Sequence, residues 1–514
     1  MLGLLPWADA TQYYFDANRL INGSLFTSVS GHRPLYTSLL AVLLKISTQN
    51  LQAILVVFVI INALVIFLFV EEIYSEFGAA SAIVILYLCH FFYRLFVGTM
   101  LTEQFGYPMG LLAFVVFIRA VRTQKLWLFS LGMMILVYAL LIRAGTFFVL
   151  PILILFAMIN FGKNRQYDLK ILLIMVVAVA VPVLSNSWLG RVVASPGAVA
   201  FANFADTLYG QARGGVKWTQ ASVDHPELAS MTERERSRLL YRLAFEEIKN
   251  NPLGLLKGSV KAFTDFILPG PLAAFGFLRF GNRVIDFLLQ VSVAVLFLLG
   301  LWKIWKSRKN AISMLILVFW AGTFLSIPFL PPIDAGIRPY AATIGSIFLP
   351  VCFVFSHTFF RSVGSSQHEN PLIPAGIAYS FALILLLFAL VGAPFLRITT
   401  KPLDMQSIAC EPGLIPVNFR LDSRSYISLS SIEALQKTKV PDVLLKDVHR
   451  SLDDFPYGDF ASVLRKIRQP VLVAAVLDYS TKAGIWIVAP SELKNYENQL
   501  ISTCAEMVFP KYSV

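Results

Sequence analysis

Long apolar runs recur along this chain and constrain its fold more than any other feature. A helix that crosses a membrane needs about 20 apolar residues at ~1.5 Å each. Runs that approach or reach this length lie at 51–70, 79–98, 105–118, 126–142, 145–161, 169–189, 285–302, 311–328, 340–359 and 372–395. With 57% apolar and 14% charged residues, the chain is neither disordered nor an ordinary water-soluble enzyme. We predict a mainly α-helical, polytopic membrane protein with ten transmembrane helices.

The basic residues indicate both partner and orientation. A net charge of +12 suits nucleic acid, a membrane surface or an anionic substrate, and the apolar spans favour membrane lipid over nucleic acid. Short cytoplasmic connections are rich in Lys and Arg. The basic connections alternate along the chain: Arg119, Arg122 and Lys125; Lys163, Arg165 and Lys170; Lys303, Lys306, Arg308 and Lys309; and Arg361. We therefore predict an inner (plasma) membrane protein whose working face is periplasmic (extracytoplasmic).

The chain divides into two predicted domains near residue 397. Residues 1–396 hold all the spans, with an external loop at 1–50 and a long external loop at 191–284. Residues 397–514 mix alternating and helical patterns, which predicts a small soluble α/β domain outside the membrane. Cys410 and Cys504 lie near its two ends, where a disulfide fits an oxidising compartment. Two unpaired thiols are the alternative.

The external segments carry local helix signals. A helix is predicted to end at Gly23, and Pro34 opens the apolar stretch 35–47. That stretch is short for a span, so we expect a helix on the membrane surface. In the long loop, Thr232 and Glu235 predict a capping box, and 255–268 predicts a second interfacial helix.

Ionisable residues in or beside the spans are the functional candidates, because charge is costly in hydrocarbon. They are Asp9, Asp16, Arg33, Arg94, Glu103, Arg143, Asp334 and Arg338. Planar guanidinium groups on one face suit a phosphate ester, and His32 is a further candidate for that face. No metalloprotease, nucleophile-elbow or P-loop motif is present.

Five of these candidates also have a structural explanation. Asp9 with Gln12 fits a capping box, and Glu103 fits the start of the next span, where a carboxylate favours the helix end. Arg338 fits a local ion pair with Asp334. Arg94 and Arg143 fit side chains that snorkel to the interface.

Two short motifs give the chain a resemblance to a known superfamily. Asp9-Ala-Thr-Gln-Tyr13 and Gly31-His32-Arg33-Pro34-Leu35-Tyr36 resemble the first external loop of GT-C glycosyltransferases, which include aminoarabinose transferases and protein O-mannosyltransferases. Glu103 and Arg338, in later external turns, extend the resemblance over roughly residues 1–360. Members carry a membrane helix before the aspartate, which implies either an eleventh helix upstream of Asp9 or an unusual insertion of this chain into the membrane.

The resemblance implies an inverting transferase at the outer face of the membrane. Its donor would be a polyprenyl-phosphate-linked sugar, and its acceptor an envelope glycan, lipid or protein. Asp9 and Glu103 would be catalytic, and the substrate-binding residues would be Tyr13, His32, Arg33, Arg143 and Arg338. A divalent metal ion is left open, with Asp9 and Glu103 as ligands if one is bound, because Gly31-His32-Arg33-Pro34 lacks an acidic ligand found in aminoarabinose transferases.

Two other functions compete with this one. A transporter or flippase of a lipid-linked sugar would also carry charges along its path, although such proteins tend to show internal repeats, and none is found here. A structural assembly subunit is the third option, and its outer charges would be dispensable.

Overall fold

Helices make up most of the described chain. The computed structural model describes residues 9–143, 145–162, 168–196, 198, 202–356, 380 and 383–400, and the backbone of 414–420 and 500–506. The first described segment contains α1 (Asp9–Ile21), α2 (Ser28–Gly31) and α3 (Pro34–Ile46). As predicted, α1 ends before Gly23, which takes a φ of 79°, and Pro34 stands at the first position of α3.

Six apolar helices follow, one of which is central. They are α4 (Leu51–Phe77), α5 (Ala79–Tyr93), α6 (Glu103–Thr123), α7 (Leu126–Ile142), α8 (Val149–Asn160) and α9 (Leu169–Val193). Helix α6 is the central one, because it is buried along nearly its whole length and packs against α4 and α7. Glu103 and Arg119 lie near its opposite ends, about 24 Å apart at ~1.5 Å per residue.

A small helical subdomain occupies the long loop. It consists of α10 (Asn203–Ala212), α11 (Gln220–Asp224), α12 (Glu233–Asn250) and α13 (Pro252–Ile267). It has its own apolar core around Leu228 and Leu240. The predicted capping box is confirmed: Thr232 N–H donates to Glu235 Oε2 at 3.1 Å, and Glu235 N–H donates to Thr232 Oγ1 at 3.4 Å.

The described helices end with α14 (Arg283–Lys306), α15 (Ala311–Ser326), α16 (Pro332–Ala335), α17 (Gly345–Phe353) and α18 (Leu383–Thr399). The predicted span 340–359 is not one continuous helix. A 3₁₀ stretch, Arg338–Thr343, precedes the short α17. Pro339 lies in that stretch and its carbonyl packs against Gly145, so close packing with neighbouring elements holds the chain in the tighter turn.

Five helices of the described chain, α4, α6, α9, α14 and α15, are long and apolar enough to cross a membrane. Five further apolar helices, α3, α5, α7, α8 and α18, are shorter. The protein therefore has the mainly helical, apolar architecture of a membrane protein, as predicted, while ten full-length spans are not seen among the described residues.

Helix α3 differs from its prediction as a surface helix. Every residue from Pro34 to Leu44 is buried, because α3 is packed among α1, α7, α9 and α18. A helix lying on a membrane surface would leave one face outside the protein. Helix α3 is apolar on every face because it is buried within the protein on all sides.

Beyond α18, the described part of residues 397–514 is a pair of strands. β1 (Leu414–Arg420) and β2 (Leu500–Glu506) pair antiparallel, with Leu414 opposite Glu506. The rest of the predicted α/β domain lies outside the described residues. So do Cys410 and the side chain of Cys504, and their disulfide stays a prediction.

Candidate functional site

Two arginines and two carboxylates from separate elements meet at the start of α6. Glu103, the first residue of α6, is fully buried. Its Oε1 accepts from Arg338 Nε at 2.7 Å and lies 3.2 Å from Arg143 Nε. Arg143 directly follows α7, and Arg338 begins the 3₁₀ stretch. Asp9, at the start of α1, completes this arginine–carboxylate cluster with an Oδ2 3.6 Å from Arg338 Nη2.

A tyrosine and a third arginine extend the cluster along α1. Tyr13 lies one turn after Asp9, and Arg33 Nη1 donates to its hydroxyl at 3.1 Å. Burial raises the pKa of the Tyr13 phenol, although Arg33 opposes the rise. Asp9, Arg143 and Glu103 also act on this phenol, which places it beside the cluster. Tyr13 therefore stays neutral and retains a hydroxyl proton to donate.

Two glycines let the arginine-bearing segments approach. A side chain on Gly106 would place its Cβ 2.7 Å from the Cβ of Arg143, and one on Gly145 would place it 2.7 Å from the carbonyl oxygen of Pro339. Such distances are sterically forbidden, so only glycine permits this packing. The cluster depends on both close approaches, because they set where Arg143 and Arg338 enter it.

The cluster has a buried side and an open side. Glu103 and Arg143 are buried, whereas the Arg338 and Asp9 side chains are 29% and 56% exposed. Burial lowers the pKa of the Arg338 guanidinium, but the Glu103 and Asp9 carboxylates more than offset this, so the pKa is raised and the group stays charged. With Arg33, three cations face two carboxylates, and one positive charge is in excess. This arrangement can bind an anion on its open side.

The structural explanations of the cluster residues are only partly confirmed. Glu103 does begin a helix, as predicted. Gln12, the predicted capping partner of Asp9, donates its amide N–H to Thr27 Oγ1 at 2.9 Å. Arg143 does not snorkel to an interface, because it is buried against Glu103.

The alternative ion pair between Asp334 and Arg338 was wrong. Asp334 Oδ1 accepts from the Trp218 backbone N–H at 2.9 Å, and Asp334 Oδ2 accepts from Thr207 Oγ1 at 3.3 Å. These bonds tie α16 to the helical subdomain, while Arg338 turns towards Glu103.

Three other candidates lie in different surroundings. The imidazole of His32 pairs with Glu233 at the start of α12, so it links the segment before α3 to the helical subdomain. Asp16 is buried and accepts from the Thr27 N–H at 3.0 Å, which stabilises the turn after α1. Arg94 stacks over the Phe91 ring at 4.7 Å, away from the cluster.

Sequence reasoning passed over one residue at this site. Tyr36 of α3 is fully buried, and its ring packs edge-on against Tyr13 at 5.4 Å. Its hydroxyl has no hydrogen-bond partner in the described chain. Tyr36 stands in the motif that carries the resemblance, but an aromatic residue at the start of an apolar helix reads as a core residue.

The arrangement does not fit a metal ion. The described residues contain no group of three or more His, Cys, Asp or Glu side chains that could hold one. Glu103 and Asp9 are the residues that the resemblance names, and Arg338 lies between them. A divalent cation placed there would meet the guanidinium groups of Arg338 and Arg143, and like charges repel.

Comparison with known proteins gives no relative. The chain matches no protein-family model, and no curated protein or solved structure is significantly similar to it. The functional interpretation therefore depends on the geometry of the cluster and on the resemblance of its motifs.

Proposed function

We propose that this protein is an integral membrane glycosyltransferase that uses a polyprenyl-phosphate-linked sugar as its donor. The observation that carries the proposal is that Asp9, Glu103 and Arg338 form one cluster. These residues lie far apart in the sequence and belong to three separate motifs of the resemblance. The excess positive charge of the cluster favours a ligand with a phosphate group.

In this mechanism the arginines bind the donor phosphate. Arg338 is the best placed, because it is partly exposed and stays charged. Arg143 and Arg33 add positive charge behind it. Glu103 is a positioning residue, since its Oε1 engages both Arg143 and Arg338 and holds them in place. The guanidinium groups would stabilise the negative charge that develops on the leaving phosphate.

Asp9 is the proposed catalytic base. Its carboxylate is the most exposed charge of the cluster and has room for an acceptor hydroxyl. Asp9 takes the hydroxyl proton as the acceptor oxygen forms a bond to the anomeric carbon. The bond from that carbon to the phosphate oxygen breaks with its electron pair, and polyprenyl phosphate leaves. A single displacement inverts the anomeric configuration.

We further propose that the cluster faces the periplasm. Glu72 pairs with Arg119 and Arg122 at the other end of α6, and basic residues favour the cytoplasmic side. The ~24 Å between these ends approaches the ~30 Å of a hydrocarbon core. Helices α5, α7, α8, α17 and α18 complete the ten proposed spans, and 397–514 form the proposed periplasmic domain. A transporter or flippase is less well supported, because its charges are expected near the middle of the bilayer.

Transfer in proteoliposomes tests the proposal. The purified protein should transfer sugar from a polyprenyl-phosphate donor to an envelope glycan with inversion, and a nucleotide sugar should give no product. Asp9→Asn should lower the rate by about 100-fold or more without loss of stability, because Asp9 is exposed. Glu246→Gln is the matched control, since Glu246 is an exposed carboxylate on α12.

Three results would contradict parts of the proposal. Efficient transfer from a nucleotide sugar would overturn the donor and the orientation. Movement of the lipid between leaflets without transfer would favour the flippase. Wild-type activity of Asp9→Asn would remove Asp9 from the mechanism.

A further inference from the structure

Helix α13 exposes a stripe of apolar side chains, interrupted by Thr264. Leu253, Leu256, Val260 and Ile267 are each between 51% and 71% exposed. Their spacing of three, four and seven residues puts them on one helix face. Large exposed apolar patches mark surfaces that contact a partner or a membrane.

Close packing prevents this helix from turning the stripe inward. Its opposite face carries Gly254, Gly258, Ala262 and Phe266, all of which are buried. A side chain on Gly254 would collide with the carbonyl of Ala212, and one on Gly258 would collide with the main chain at Gln211 in α10. The orientation of α13 is therefore set by backbone contact with α10.

Lysines flank the stripe where the apolar face meets the polar one. Lys257 is exposed one residue after Leu256, and Lys261 lies one turn further on, 2.6 Å from Asp265. Lys side chains that border an apolar face extend their charge to lipid phosphates while their methylene groups lie along the apolar surface. This pattern of charge fits a phospholipid interface better than the dry core of a protein contact.

The chain that follows α13 is bonded to a helix of span length. Gly270, three residues after α13, donates its N–H to Gln290 Oε1 of α14 at 2.9 Å. The first turns of α14 expose Ile285, Phe287 and Leu288. A lipid layer that covers this end of α14 would therefore lie near the end of α13.

We propose that α13 lies in the boundary between headgroups and acyl chains of the outer leaflet. Its apolar stripe enters the acyl chains, and Lys257 contacts lipid phosphates. Phe266, on the buried face, packs against Tyr340 at 5.1 Å between ring centroids, two residues beyond Arg338. The lipid contact of α13 thus sets the arginine–carboxylate cluster at headgroup depth. The assignment to the outer leaflet rests on the proposed orientation, whereas the lipid contact itself does not depend on the proposed chemistry.

Collision accessibility of spin labels tests the proposal. Leu256→Cys and Val260→Cys, made in a Cys410→Ser/Cys504→Ser background, would each carry a nitroxide in phosphatidylethanolamine–phosphatidylglycerol proteoliposomes. Cys89 and Cys352 are buried and can remain. Glu246→Cys on α12 is the aqueous control, and Phe287→Cys on α14 is the lipid control.

Labels at 256 and 260 should collide with oxygen at a rate about threefold or more above their rate with a water-soluble nickel chelate. The label at 287 should behave in the same way, and the label at 246 should collide more often with the nickel chelate. Equal or greater nickel accessibility at 256 and 260 would show an aqueous surface and overturn the proposal. Low accessibility to both reagents would show that protein covers the stripe, and this would overturn it too.

Discussion

Glu103→Gln is the substitution that tests most directly how the cluster is held together. The glutamine keeps the shape of the side chain and removes its charge. Arg143, whose side chain is 7% exposed, then loses the carboxylate 3.2 Å from its Nε. Arg338 is less affected, because it is partly exposed and retains Asp9 at 3.6 Å.

The size of the effect follows from burial and distance. Two unit charges at this separation attract by about 5 kcal/mol when the effective dielectric constant is ~20. Desolvation offsets part of this gain in the native pair, but removing one partner leaves a buried cation without compensation. We expect Glu103→Gln to lower the free energy of unfolding by about 3–5 kcal/mol. Arg338→Gln should cost less, because Glu103 keeps Arg143 as its partner.

Unfolding in detergent micelles with added denaturing surfactant measures these differences. A double-mutant cycle with Arg143→Gln isolates the pair, and we expect a coupling energy of about 2–3 kcal/mol. Glu246→Gln is the matched control, since its pair with Arg242 spans 4.0 Å between exposed side chains. That change should stay within about 0.5 kcal/mol.

Two results would refute this reasoning. A loss below about 1 kcal/mol for Glu103→Gln would mean that water already compensates Arg143. Strict additivity of the two single changes would mean that Glu103 and Arg143 do not interact in the folded protein.

Three further predictions concern other parts of the molecule. Tyr36→Phe removes a buried hydroxyl without a partner in the described chain, so it should leave thermal stability unchanged or raised. Tyr340→Phe breaks a 2.8 Å bond to a carbonyl and should lower stability, and equal losses in both variants would contradict this prediction. Burial raises the pKa of Asp334 from 3.8 to about 6, so the folded state binds this proton more tightly than the unfolded state does. The contribution of Asp334 to stability should therefore fall as the pH rises from about 4 to about 6. In surfactant titrations at several pH values, the free energy of unfolding of Asp334→Asn should fall less steeply with pH over this range, and an unchanged slope would contradict this. Cys410 and Cys504 should form a disulfide, and equal thiol labelling with and without reductant would disprove it.

The amino-acid sequence by itself determined the helical, membrane type of architecture. Backbone groups in a bilayer must pair within their own segment, so long apolar runs form helices whatever surrounds them. Local signals also act within a few residues. Gly23 follows the end of α1, Pro34 begins α3, and Thr232 with Glu235 forms the capping box. The cost of charge beside apolar spans also marked Asp9 and Glu103 as candidates.

Only the tertiary structure decided which of these residues meet. Arg338 has Asp334 four positions away, yet it pairs with Glu103, which lies 235 positions away. The close approach at Gly145 helps to set the direction of the chain there. The tertiary structure also decided that α3 is buried on all sides. The sequence did not distinguish this position from one on the membrane surface. Local sequence sets backbone preferences over one or two helical turns. Contacts between distant segments depend on how whole helices pack, and that information is spread over many residues of the chain.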